Sequence, residues 1–289
     1  MIMSSKFYIQ YRSEFEIFIE AALKEDIGSG DHSSRSCINP MHQNTALLWA
    51  KEEGIIAGLE LAANIFHYYD PKLQFDPLIE EGAEIEKGVK VFSISGSVQS
   101  ILATERLVLN TLQRMSGIAT YTHKLSKKIS HTKCKLLDTR KTTPNFRYPE
   151  KWAVRIGGGI NHRMGLFDAL MIKDNHIDFC GGMTKTLHQT EAYLQRLGKS
   201  LEVVVECRNK KEIEEALPFS FVNRILLDNH SIAELIDALS LIEGKKPTEA
   251  SGNITEKNIE AIAETGVDYI SMGALTYAAK SIDFSLKAV

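Results

Sequence analysis

Residues 201–229 read LEVVVECRNKKEIEEALPFSFVNRILLDN. LEVVVEC (201–207) and NRILLDN (223–229) have strand character, and 210–217 between them has a helical pattern. Strand, helix, strand is the signature of a parallel βαβ unit. The same rhythm extends outward on both sides. Further strand candidates are CKLLDTR (134–140), ALMIKDN (169–175), PTEASGN (247–253) and DYISMGA (268–274), with helical patterns over 184–197, 231–242 and 255–265. Six or seven such units favour a closed or nearly closed barrel over an open sheet. The count falls one or two short of eight, so the expectation is an α/β fold: an incomplete or irregular α/β barrel over 116–279, preceded by an N-terminal α+β domain over 1–115 that 280–289 can join. In that first domain, 15–24 and 59–69 read as helices and TALLWAKEEGIIAG (45–58) as a hairpin. EEGAEIEKGVKVFSISG (80–96) gives short antiparallel strands, and a helix starts near 103 and runs to 113 or 121.

Composition narrows the classes. The chain has 289 residues, 44% hydrophobic and 25% charged, which excludes collagen-like, low-complexity and disordered proteins. A formal charge of −3 provides no global attraction for nucleic acid or an anionic membrane. The four cysteines are far apart and form no C-x-x-C, which argues against a disulfide framework or structural zinc and for a reducing cytoplasm. No apolar run reaches the roughly 18 residues that a span requires.

Chemistry in such barrels gathers at the C-terminal ends of the strands. Those ends are polar here: Asp138, Arg140 and Lys141; Lys173, Asp174 and Asn175; Glu206; Asp228 and Asn229; Ser251 and Gly252; Gly273. Between Asp138 and His176 there are seven Lys/Arg against four acids, a local +3 in a chain of −3. Arg140, Lys141, Arg163 and Lys173 converging at a barrel mouth, with His162 beside them, need an anion, because like charges in a cleft repel. The basic residues form a cup and not a stripe, which points to a small, multiply anionic ligand and away from nucleic acid. Glu202 and Glu206 share one strand face. With Asp228 they place hard carboxylates among phosphate-binding cations, a setting suited to Mg²⁺ bridging substrate oxygens. Backbone amides around Ser251, Gly252, Asn253, Gly273 and Ala274, after the last strands, fit a phosphate site.

These blocks resemble a known family. DTRKTTP (138–144), GGGINHRMGLFDALMIKDNH (157–176), LLDN (226–229), EASGNI (249–254) and GVDYISMGALT (266–276) are similar to quinolinate phosphoribosyltransferase. EDIGSGD (25–31), EGAEIEKG (81–88) and ATERLVLNTLQRMSGIAT (103–120) fit its N-terminal domain in the same order. The resemblance implies phosphoribosyl transfer from phosphoribosyl pyrophosphate to the quinolinate nitrogen with decarboxylation, giving nicotinate mononucleotide, pyrophosphate and CO₂, with Mg²⁺. It implies that Arg140, His162, Arg163 and Lys173 hold the quinolinate carboxylates and that Lys141 contacts the phosphorylated substrate. Asp228 would contact ribose or metal, Glu206 would share that role, and Ser251, Gly252, Gly273 and Ala274 would bind the 5′-phosphate. It also implies a homodimer in which Arg106 is donated across the interface. The chain departs from the family's usual Glu-x-Glu strand, carrying Val204 where an acid is customary, and has His32 where a threonine often stands. Two other readings compete: a barrel aldolase using Lys173 as a Schiff-base amine, and a lipoyl-type carrier suggested by 81–96, which lacks a turn lysine to modify.

Overall fold

The computed structural model describes residues 5–289. In chain order it begins with α1 (Lys6–Gln10), α2 (Arg12–Ile27) and α3 (His32–Cys37). Next come β1 (Gln43–Ala50), β2 (Gly54–Ile55), α4 (Leu59–Tyr69), β3 (Gln74–Pro77), β4 (Glu84–Ile85) and β5 (Lys90–Ser97). The long α5 (Val98–Lys128) leads to β6 (Lys135–Leu137), α6 (Arg147–Ile156), β7 (Ala169–Ile172), α7 (Asp174–Cys180) and α8 (Met183–Leu197). Then follow β8 (Glu202–Cys207), α9 (Lys210–Ala216), β9 (Arg224–Asp228), α10 (Ile232–Ile242) and β10 (Thr248–Ser251). The chain ends with α11 (Ile259–Glu264), β11 (Tyr269–Ser271), α12 (Ala274–Tyr277) and β12 (Phe284–Ala288). Among the described residues no helix is long and apolar enough to cross a membrane.

Two compact units emerge, and they interleave in sequence. Of the described residues, the first comprises 5–123, 142–158 and 275–289; the second comprises 124–141 and 159–274. Against a boundary at 115/116, the chain returns twice to the first unit. The first return has a clear cause: the buried Glu150 carboxylate accepts from Arg114 Nε at 3.0 Å, from Thr143 N at 3.0 Å and from Thr143 Oγ1 at 2.9 Å. Trp152 adds an aromatic anchor, with ring centroids 5.8 Å from Phe7 and 5.3 Å from Phe15. The segment 142–150 is thus tied down in the first unit.

The first unit is built on an antiparallel sheet of order β12-β1-β5-β3. The hairpin expected over 45–58 does not form. β1 pairs with β5 and β12, whereas β2 pairs with β4, Gly54 opposite Ile85. Lys51 N donates to Asp283 O at 2.9 Å and Ile55 N to Thr120 Oγ1 at 2.8 Å, so tertiary partners override the local turn signal. Helix α5 is longer than its expected span in both directions. Gly117, which looks like a helix breaker, sits inside it because a Cβ there would lie 2.0 Å from Lys280 O. The close approach of the returning C-terminal chain requires glycine, at a cost of about 1 kcal/mol in helix propensity.

The second unit is a parallel six-stranded sheet of order β6-β11-β10-β9-β8-β7 wrapped by helices. Its strands are buried on both faces, with Val203, Val205, Ile225, Leu227 and Ile270 fully enclosed, as a parallel sheet demands. β6 and β7 do not pair. Residues 160–163 lie between them: Ile160 bridges Leu137 in parallel, and Arg163 Nη1 donates to Ala169 O at 3.2 Å. The result is the irregular barrel that six strands suggest.

Candidate active site

The cup lies at the C-terminal ends of the strands of the second unit. Arg140 and Lys141 follow β6 and are exposed, Lys173 immediately follows β7, and Glu206 and Asp228 close β8 and β9. Ser251 ends β10, followed by Gly252 and Asn253, while Gly273 and Ala274 follow β11. Backbone geometry fixes this rim. Asn229 (φ 57°) and Asn253 (φ 52°) are both left-handed, Asn229 N donates to Ser251 O at 2.8 Å, and Asn253 Nδ2 donates to Asn229 Oδ1 at 2.9 Å. Gly252 adopts φ +86°, and a Cβ there would lie 2.2 Å from Asn229 Oδ1. Asp228 Oδ2 accepts from Asn229 Nδ2 at 2.6 Å.

Electrostatics mark the cup as an anion receptor. Burial, and then Arg140 nearby, makes the Arg163 guanidinium harder to keep charged, with Asp168 opposing. Asp168 itself turns inward to cap the loop, accepting from Met164 N at 2.6 Å and Gly165 N at 2.8 Å. A half-buried guanidinium with a second one nearby gains from an anion bound beside it. On the other side, Lys173 Nζ lies 3.9 Å from Glu206 Oε2. Burial raises the Glu206 carboxyl; Lys173 opposes this, while Asp228 and Asp174 reinforce it. An acid crowded by two others and by one lysine is suited to a developing positive charge or a hard cation.

His162 is placed differently from the other cations. Its backbone N–H donates to the buried Asp138 carboxylate at 2.9 Å, and Asn161 Nδ2 reaches the same group at 2.6 Å. Its Nδ1 accepts from Arg163 N at 2.8 Å, and Nε2 lies 3.3 Å from Glu249 Oε2, with only 6% of the side chain exposed. The ring therefore faces the barrel interior. Glu202 also stands apart. It shares a strand face with Glu206, but four residues of strand separate them by about 13 Å, and it pairs with Arg224 at 2.5 Å at the other end of the sheet. Periodicity gave the side of the strand but not the depth. Val204, between them, is fully buried. Arg106 is exposed on α5 in the first unit. Sequence reasoning passed over Glu249 and Arg224. Their signal was a charge inside a strand buried on both faces, which always requires a partner.

Fold and site together define an α/β-barrel enzyme that handles a small, multiply anionic substrate. Family models identify which one: residues 31–116 match the quinolinate phosphoribosyl transferase N-terminal domain and 118–287 its C-terminal domain. The chain belongs to the quinolinate phosphoribosyltransferase family. It is 44% identical over 284 residues to quinolinate phosphoribosyltransferase [decarboxylating] 1 of Nicotiana glauca, covering 93% of this chain and 81% of that relative. It is 40% identical to a probable nicotinate-nucleotide pyrophosphorylase [carboxylating] of Synechocystis, covering 94% and 92%. The crystal structure of NadC from Streptococcus pyogenes superposes with a TM-score of 0.90 at 38% identity, covering 99% of this chain and all of that one.

Proposed function

We infer that this cup transfers the phosphoribosyl group of phosphoribosyl pyrophosphate to the ring nitrogen of quinolinate, with loss of one carboxylate as CO₂, yielding nicotinate mononucleotide and pyrophosphate for NAD biosynthesis. The observation that carries this reading is the gathering of three cations at one edge of the cup: Arg140 after β6, Lys173 after β7, and Arg163 in the segment between those strands. Arg140, Arg163 and Lys173 bind the two carboxylates, and each charge-assisted contact is worth about 1.5–3 kcal/mol. His162 borders this clamp from beneath, and Lys141 serves the phosphorylated substrate. Breaking the bond from ribose C1 to pyrophosphate leaves oxocarbenium character on the sugar, which Glu206 and Asp228 stabilise from neighbouring strands. After transfer, loss of CO₂ leaves its bonding pair on the adjacent ring carbon, where the positive ring nitrogen stabilises it, and a proton from water then completes nicotinate mononucleotide. No covalent nucleophile is needed, and orientation supplies much of the rate. The amides of the rim from Ser251 to Asn253, with those of Gly273 and Ala274, support a 5′-phosphate site.

The donor set fits Mg²⁺: Glu206 and Asp228 are hard carboxylates on adjacent strands, and Mg²⁺ is commonly held by one or two carboxylates plus substrate phosphates. When bound it neutralises the leaving pyrophosphate. A homodimer with Arg106 donated to the partner's cup is supported by the exposure of that side chain on α5, and four unpaired cysteines support a cytoplasmic setting. Lys173 as a Schiff-base amine is disfavoured, because its side chain is 49% exposed beside a carboxylate and lacks the desolvation that chemistry requires. The test is an end-point assay with phosphoribosyl pyrophosphate and Mg²⁺, using quinolinate and nicotinate as parallel substrates. Equimolar CO₂ and nicotinate mononucleotide from quinolinate are expected; nucleotide from nicotinate alone would overturn the reading.

A further inference from the structure

Beneath the cup, the interior of the second unit holds a charge network that the reaction as described does not use. Arg224, at the start of β9, reaches Glu249 at 2.8 Å and Glu202 at 2.5 Å and stacks on Tyr269, 4.4 Å from ring centroid to guanidinium carbon. Glu249 lies within β10 and is wholly buried. Burial works against its ionisation, but contacts with His162, Ser271 and Arg224 outweigh it and hold the carboxyl below its ordinary range. In the sheet order, β11 and β6 separate β10 from the segment carrying His162, so the approach of Glu249 to His162 crosses the barrel interior.

The geometry also determines the tautomer. Nδ1 accepts a backbone N–H from Arg163 at 2.8 Å and so carries no proton. The ring proton is therefore on Nε2, the nitrogen that lies 3.3 Å from the Glu249 carboxylate. A ring held this way fixes the Arg163 main chain from one side, while Asp138 fixes the His162 N–H from the other. Arg163 is where this matters, because its guanidinium belongs to the clamp.

We propose that Glu249, with Arg224 as its counter-ion, is a positioning residue that sets the Arg163 guanidinium through the His162 ring. Its function is to orient the pyridine carboxylates, so it rests on the reading of the cup given above. Removing the Glu249 charge lets the ring turn and moves Arg163. The phosphoribosyl end of the site keeps its geometry although Ser251 ends the same strand, because that rim is held by Asn229 N donating to Ser251 O and by Asn253 Nδ2 donating to Asn229 Oδ1, bonds in which Glu249 takes no part. Carboxylate-bound histidines that orient a neighbouring reactive or ligating group are a recurring device.

The test compares wild type, Glu249→Gln and the double variant Arg224→Met/Glu249→Gln, in which no buried charge is left alone, so that the fold is retained. The KM for quinolinate rises about tenfold in both, as expected for a displaced clamp, and the KM for phosphoribosyl pyrophosphate stays within about twofold. Side-chain ¹⁵N NMR, with the His162 resonance assigned from its loss in His162→Asn, shows an Nε2–H ring in the wild type and a changed ring in Glu249→Gln. An unchanged quinolinate KM in the folded double variant overturns the proposal, as do two KM values that rise together or a wild-type ring protonated on Nδ1. If the wild type makes no nucleotide from quinolinate, the reading of the cup fails while the ring measurement still decides the positioning role.

Discussion

Gly252 carries a constraint that no other residue type meets. Its φ of +86° is costly for any L side chain, and a Cβ would lie 2.9 Å from Asn229 N as well as 2.2 Å from its Oδ1. Gly252→Ala is expected to destabilise the second unit by about 1–3 kcal/mol, and to raise the KM for phosphoribosyl pyrophosphate more than that for quinolinate; thermal melts and initial rates check both. Arg140, Lys141 and Lys173 were legible because each follows an apolar strand core, a position that sequence displays directly. Glu249 and Arg224 were not, because an acid in TEAS or an arginine before ILLD takes on meaning only when β9, β10 and residues 160–163 face one another. Glu202 failed for a related reason: alternation reports the face and carries no information on height.

At the scale of elements, α4 has the ends expected from sequence, and its first turn is capped by a residue distant in the chain. That cap is Glu81, whose carboxylate accepts from Gly58 N at 2.7 Å and Glu60 N at 3.3 Å. Burial pushes the Glu81 carboxyl up to about 7, against the pull of those amides. The native state therefore keeps a proton that the unfolded chain releases near 4.5. By linkage, this group makes stability fall as pH rises from about 4.5 to about 7. Glu81→Gln is expected to flatten that segment of the stability profile, measured by urea titrations at successive pH values; an unchanged slope would assign it to other groups. The failed hairpin and the glycine inside α5 both involve the C-terminal chain around 280–283, more than 150 residues away in sequence.

At the scale of the whole molecule, the order of motifs along the chain was enough to place it in its family, and the barrel followed from counting strand–helix repeats. The return of residues 142–158 to the first unit was invisible, because nothing in RYPEKWAVRI announces that Glu150 and Trp152 pack with Arg114 and Phe7. A cut at 115/116 strips β12 from β1, Glu150 from Arg114 and Trp152 from the Phe7–Phe15 cluster. Breaking that buried ion pair alone costs about 3–5 kcal/mol. The fragment 1–115 is therefore expected to show no cooperative thermal transition by circular dichroism, although it contains most of the sheet.

The central claim is that the strand-end cup is a clamp for two carboxylates. It is tested most directly by the ratio of kcat/KM for quinolinate to that for nicotinate, measured in wild type and in Arg140→Ala with phosphoribosyl pyrophosphate saturating. A strong preference for quinolinate is expected, falling by about 10–100-fold when the guanidinium is removed, the equivalent of one charge-assisted pair. A ratio that survives in Arg140→Ala, or a wild type that prefers nicotinate, would contradict it.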